Sequence, residues 1–82
     1  MVGRIVRSKS GHDKGKFYVV LQAAGSFVYL IDGNLRPIDK PKRKNVKHIS
    51  ITNTFMDMSV LTDSAVQNTL KGFDEAVFKG GK

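Results

Sequence analysis

The 82-residue sequence predicts a mainly β fold, a small barrel of about five short strands followed by a C-terminal α-helix. Three observations lead there. Residues suited to a pleated surface gather in short runs separated by glycine-containing breaks across residues 3–52. Asp32-Gly33-Asn34 is a strong turn signal in the middle of that stretch. Beyond residue 60 the apolar spacing becomes helical. Residues 1–53 are therefore read as the barrel and 54–82 as a helical extension with a tail.

Gly3 to Ser8 forms the first run, around Ile5 and Val6. Lys16 to Ala23 is stronger, and Phe27 to Ile31 follows after the small-residue break Ala24-Gly25-Ser26, which makes the pair a hairpin. Leu35 to Asp39 is expected to be a short strand, at an edge because Pro37 lacks a backbone donor. Val46 to Thr52 alternates, with Ile49 and Ile51 on one side and His48, Ser50 and Thr52 on the other, as in a half-buried strand. So small a sheet hides its edges by curling. Thr62 is placed to cap a helix, with Asp63 at the positive end of the dipole and Leu61 set to pack on Val66. Val66, Leu70, Phe73 and Val77 form one apolar stripe, Gly72 weakens or splits the helix, and Lys79 to Lys82 reads as a frayed tail.

Composition narrows the function classes. The length suits one domain with a modest core and little room for a deep substrate pocket. The absence of cysteine excludes disulfides, thiolate-bound zinc and cysteine nucleophiles. No apolar stretch is long enough to span a membrane, and Arg4 and Arg7 interrupt the apolar region that a signal peptide would need, so the chain is read as cytoplasmic. The net charge of +7 points to a polyanionic partner. That charge is concentrated: residues 1–50 carry eleven Lys/Arg against three Asp, a net of +8.

Three features could carry binding. The loop Ser8 to Lys16 holds Lys9, Gly11, His12, Asp13, Lys14 and Gly15, and its consecutive N–H groups could line an anion-binding concavity. The run Arg36 to His48 contains Arg36, Lys40, Lys42, Arg43, Lys44 and Lys47, and Pro37 and Pro41 favour an extended backbone able to follow phosphates. The aromatics Phe17, Tyr18, Phe27, Tyr29 and Phe55 are mostly core, with Tyr18 and Tyr29 best suited to partial exposure because their hydroxyls can stay wet. Enzyme constellations are missing: His12 and His48 are the only imidazoles, Asp74 and Glu75 diverge on a helix, and no nucleophile motif is present. No metal, cofactor or small-molecule substrate is expected.

Gly3-Arg4-Ile5-Val6, the loop Gly11-His12-Asp13-Lys14-Gly15-Lys16 and Val19-Val20 together resemble the KOW motif. Val28-Tyr29-Leu30-Ile31-Asp32-Gly33 is similar to the variant in archaeal and eukaryotic large-subunit ribosomal proteins of the fourteen-e type, and Arg36 to Ile49 to short bacterial KOW-domain RNA-binding proteins related to them. The resemblance covers residues 2–52. It implies an SH3-like barrel, association with RNA or the ribosome, and loop positions at Gly11, Asp13, Lys14, Gly15 and Lys16.

The resulting expectation is a monomeric RNA-binding protein acting in translation, with ribosomal RNA as target, ribosomal proteins as possible neighbours, and no role at a membrane. Lys9, Gly11, His12, Lys14, Gly15 and Lys16 would form one contact edge, and Arg36, Lys40, Lys42, Arg43, Lys44 and Lys47 the main phosphate-tracking segment. The alternative is a protein-interaction module docking on a ribosomal, transcription or RNA-processing factor.

Overall fold

The computed structural model describes the backbone of residues 1–80 and the side chains up to Phe73. The fold is mainly β, as expected. Strands β1 (Arg4–Ser8), β2 (Phe17–Ala24), β3 (Phe27–Ile31), β4 (Lys42–Asn45) and β5 (Ile49–Phe55) form one antiparallel sheet in the order β4-β3-β2-β1-β5, and α1 spans Asp63–Gly80. The first four strands meander, and β5 returns to pair with β1, setting Val6 opposite Ile51 and Ser8 opposite Ile49. A bulge interrupts that pairing between Arg4 and Val6, where Thr52 donates its hydroxyl to the Ile5 carbonyl.

The sheet is not closed into a barrel, because β4 and β5 share no ladder. It is nevertheless strongly curled. Only the 3-10 turn Val46–His48 separates the two edge strands. A flat sheet would hold them about 19 Å apart, four strand spacings, whereas a turn of that length covers less than half as much. The edges must therefore approach each other.

The central strands are buried on both faces, which explains their unbroken apolar runs. The inner face gathers Val6, Tyr18, Val20, Val28, Leu30 and Ile49. The outer face gathers Ile5, Val19 and Ile31 with Met56, and α1 covers it with Val66 and Leu70. Phe17 and Phe73 meet edge to face, ring centroids 5.1 Å apart. The Thr62 hydroxyl accepts from the Ala65 N–H, so the expected cap is formed. Val77, Asp74 and Glu75 of the sequence reading lie outside the described side chains.

Several expectations change. Leu35–Asp39 is not a strand: Asp32 accepts the N–H groups of Asn34 and Arg36 and winds this stretch into turns, and the edge strand is Lys42–Asn45. Val46–His48 is a 3-10 turn, and the last strand begins at Ile49 and runs to Phe55. Ile51 does not share the burial of Ile49: it is 51% exposed and lies outside the inner cluster that takes in Ile49. The helix is continuous through Gly72 and includes Lys79 and Gly80, which the sequence placed in the tail; Gly81 and Lys82 lie outside the described residues. No helix among the described residues is long and apolar enough to cross a membrane.

Candidate nucleic-acid interface

The β1–β2 loop owes its shape to two glycines and one buried carboxylate. Gly11 (φ 84°) and Gly15 (φ 91°) occupy the left-handed region, where a side chain is strained. The N–H groups of Lys14, Gly15 and Lys16 donate to the carbonyls of Gly11, Ser8 and Asp13. Those three donors are thus used within the hairpin, and the anion-binding concavity expected of them is not formed.

Asp13 is buried, 6% exposed, and turns inward. Its carboxylate accepts from the Ser8 hydroxyl (2.9 Å), the Tyr18 hydroxyl (3.1 Å), Lys42 Nζ (3.0 Å) and Lys44 Nζ (3.1 Å). Lys44 also donates to the Ser10 carbonyl at 3.0 Å. Strand alternation accounts for the lysines. Lys42 stands opposite Leu30 and Lys44 opposite Val28, both inner-face residues, so both lysines point inward. Burial pushes the Asp13 carboxyl up, but the hydrogen bonds from Lys42, Ser8, Lys44 and Tyr18 outweigh it and hold the group well below the usual carboxylate range. Burial, then the hydrogen bond to and charge of Asp13, push the Tyr18 hydroxyl up. The cluster is a clasp fastening the loop to edge strand β4.

This rearranges the predicted site. The run Arg36–His48, expected to be one extended basic track, is a strand only at Lys42–Asn45, and the strand's period of two divides the charges. Lys42 and Lys44 serve the clasp, while Arg43 faces outward with its guanidinium 4.7 Å from the Phe27 ring centre. Tyr18, expected to be partly exposed, is 2% exposed because its hydroxyl finds a buried acceptor. Tyr29 is half-buried.

The exposed cations flank the loop. On one side an open groove of about 290 Å³ is lined by Arg7, Ser8, Lys9, Lys14, Gly15 and Ser50. The Lys9 N–H donates to the His48 carbonyl at 2.8 Å, which brings the turn carrying exposed Lys47 beside this groove. On the other side a groove of about 390 Å³ is lined by His12, Lys16, Leu35, Arg36 and Lys42, with Asp13 and Tyr18 at its base. Exposed Gly11 belongs to the loop between the two grooves, and Lys40 is exposed on the Pro37–Lys40 turn. Arg7 and Ser50 were missed from sequence. They are paired residues of β1 and β5, and Arg7 lies two positions before Lys9 in the chain, which was the available signal. No family model matches this chain, and no curated protein sequence matches it.

Proposed function

We propose that the protein binds RNA, ribosomal RNA foremost, in the cytoplasm and without catalysing a reaction, and that the β1–β2 loop is the centre of its contact surface. The observation that carries this reading is the convergence of Arg7, Lys9 and Lys14 on one groove, with Lys47 beside it. Three cations around an open groove, with the exposed Ser50 hydroxyl beside them, suit phosphate oxygens and no large apolar ligand. The resemblance of residues 2–52 to KOW proteins points the same way.

The test is affinity for purified ribosomal RNA across a salt series. Wild type should weaken steeply as salt rises, and an Arg7/Lys9/Lys14→Ala variant should lower the log–log slope by about 3, roughly one per phosphate contact removed. Affinity indifferent to salt, or a slope unchanged in the variant, would end this reading. Lys42 and Lys44 are unsuitable for that variant because their removal also opens the clasp.

A second reading, docking on a protein factor, is favoured by β5, whose edge presents Ile51 and Phe55 at 51% and 52% exposure. Retention of a ribosomal protein after nuclease digestion, lost on Ile51→Ser, would support it.

A further inference from the structure

Between the β1–β2 loop, the turn after β3 and the first half of α1 lies an open cleft of about 630 Å³ with a mixed polar and apolar lining, walled by Lys16, Phe17, Asp32, Asn34, Asn68 and Lys71 with Leu70. That size falls within the range of about 300–1,000 Å³ common for small-ligand clefts. Gly15 borders both this cleft and the Arg7–Lys9–Lys14 groove, so the two meet at a residue without a side chain. A chain whose phosphates lie in the groove reaches the cleft by crossing Gly15.

The lining of the cleft differs from that of the groove. Besides two lysines it offers an aromatic wall and three amides; Gln67 is engaged with the Gly33 carbonyl, whereas among the described residues the side-chain amides of Asn34 and Asn68 have no hydrogen-bond partner. Such groups suit the edge of a base and are wasted on phosphates alone. Asp32 adds discrimination. Its Oδ1 holds the N–H groups of Asn34 and Arg36 at 2.9 and 2.8 Å, while its Oδ2 has only a long contact, 3.8 Å, to Lys16 Nζ. A carboxylate oxygen so placed accepts from an exocyclic amino group and repels a carbonyl.

The geometry points to a site for one unpaired nucleobase bearing an exocyclic amino group, held between Phe17, Asp32 and Asn68 while Lys16 and Lys71 meet the flanking phosphates. The inference rests on the RNA-binding reading and sharpens it: the target has a base free of pairing, in a loop, bulge or single strand. Cytosine and uracil separate this chemistry at C4, amino in one and carbonyl in the other, while N3 changes from an acceptor in cytosine to an N–H donor in uracil.

The experiment is fluorescence anisotropy of the full chain with labelled oligocytidylate and oligouridylate of equal length, at neutral pH and low salt. Wild type should prefer oligocytidylate by about fivefold or more. Asp32→Asn keeps an acceptor for the turn and should bring the two strands within about twofold of each other. Asn68→Ala, on an exposed part of the helix, should weaken oligocytidylate with little effect on thermal unfolding. Equal affinity of wild type for both strands, or a preference that persists in Asp32→Asn, overturns the base site while salt-sensitive RNA binding stands. Failure to bind either strand or ribosomal RNA overturns both readings together.

Discussion

Asp13 is the residue on which the loop depends. Its four partners come from β1, β2 and β4, so replacing it with asparagine leaves Lys42 and Lys44 facing a neutral amide in a confined space. Breaking one side of such a pair costs up to 3–5 kcal/mol in a fully buried setting. The lysines here retain 26% and 11% side-chain exposure and can partly swing out, so about 2 kcal/mol is expected from urea unfolding of Asp13→Asn. The pH dependence has a definite sign. The folded carboxyl is held below its unfolded value, so its contribution is complete above the unfolded pKa of about 4 and is lost as pH falls through the folded value. The gap in stability between wild type and Asp13→Asn should therefore be constant near neutrality and narrow steadily below about pH 4. A gap that widened in acid would show that Asp13 is not held ionised by its lysines.

At the scale of elements, the helix is keyed to the sheet by a glycine. Gly33 (φ 78°) lies under the first turn of α1, where an added Cβ would collide with the Asp63 carbonyl. Around it, Gln67 Nε2 donates to the Gly33 carbonyl at 2.6 Å and the Ile38 N–H donates to Asp63 Oδ1 at 2.8 Å. Gly33→Ala meets both a steric clash and an unfavourable φ and should cost about 2 kcal/mol or more, read as a lowered urea midpoint. Gly25→Ala is the comparison. It shares the positive φ of 60° but has open space around it, so it should cost clearly less. Gly33 was legible in the sequence as a turn residue, but not as the seat of a helix, because that contact joins segments thirty positions apart. The same limit explains β4. Lys42-Arg43-Lys44-Asn45 has weak strand propensity and no apolar alternation, and its inward lysines make sense only once Asp13 is known to lie opposite. Strands β1 to β3 were legible because their burial on both faces is written in adjacent residues: Ile5-Val6, Val19-Val20 and Leu30-Ile31. For the candidate surface, composition revealed that cations dominate, while their division into clasp and groove depends on alternation along a strand that the local sequence does not announce.

Over the whole molecule, α1 and the sheet share one core. Ile5, Val19 and Ile31 are fully buried and lie under Met56, Val66 and Leu70. A chain ending at Leu61 would bare that outer face, and it should lose the cooperative urea transition and bind a hydrophobic dye. A sharp transition in the shortened chain would show that the inner core suffices alone. The position of β1 adds a consequence in time. It lies between β2 and β5, and its partner Ile51 follows Val6 by most of the sheet's sequence. A chain growing at about 5–20 residues per second waits roughly 2–8 s between completing β1 and beginning β5. During that interval one flank of β1 has no partner, and until β4 is made Asp13 has no lysines. A newborn chain thus carries an unpaired strand edge, the kind of template on which aggregation starts, until β5 is made.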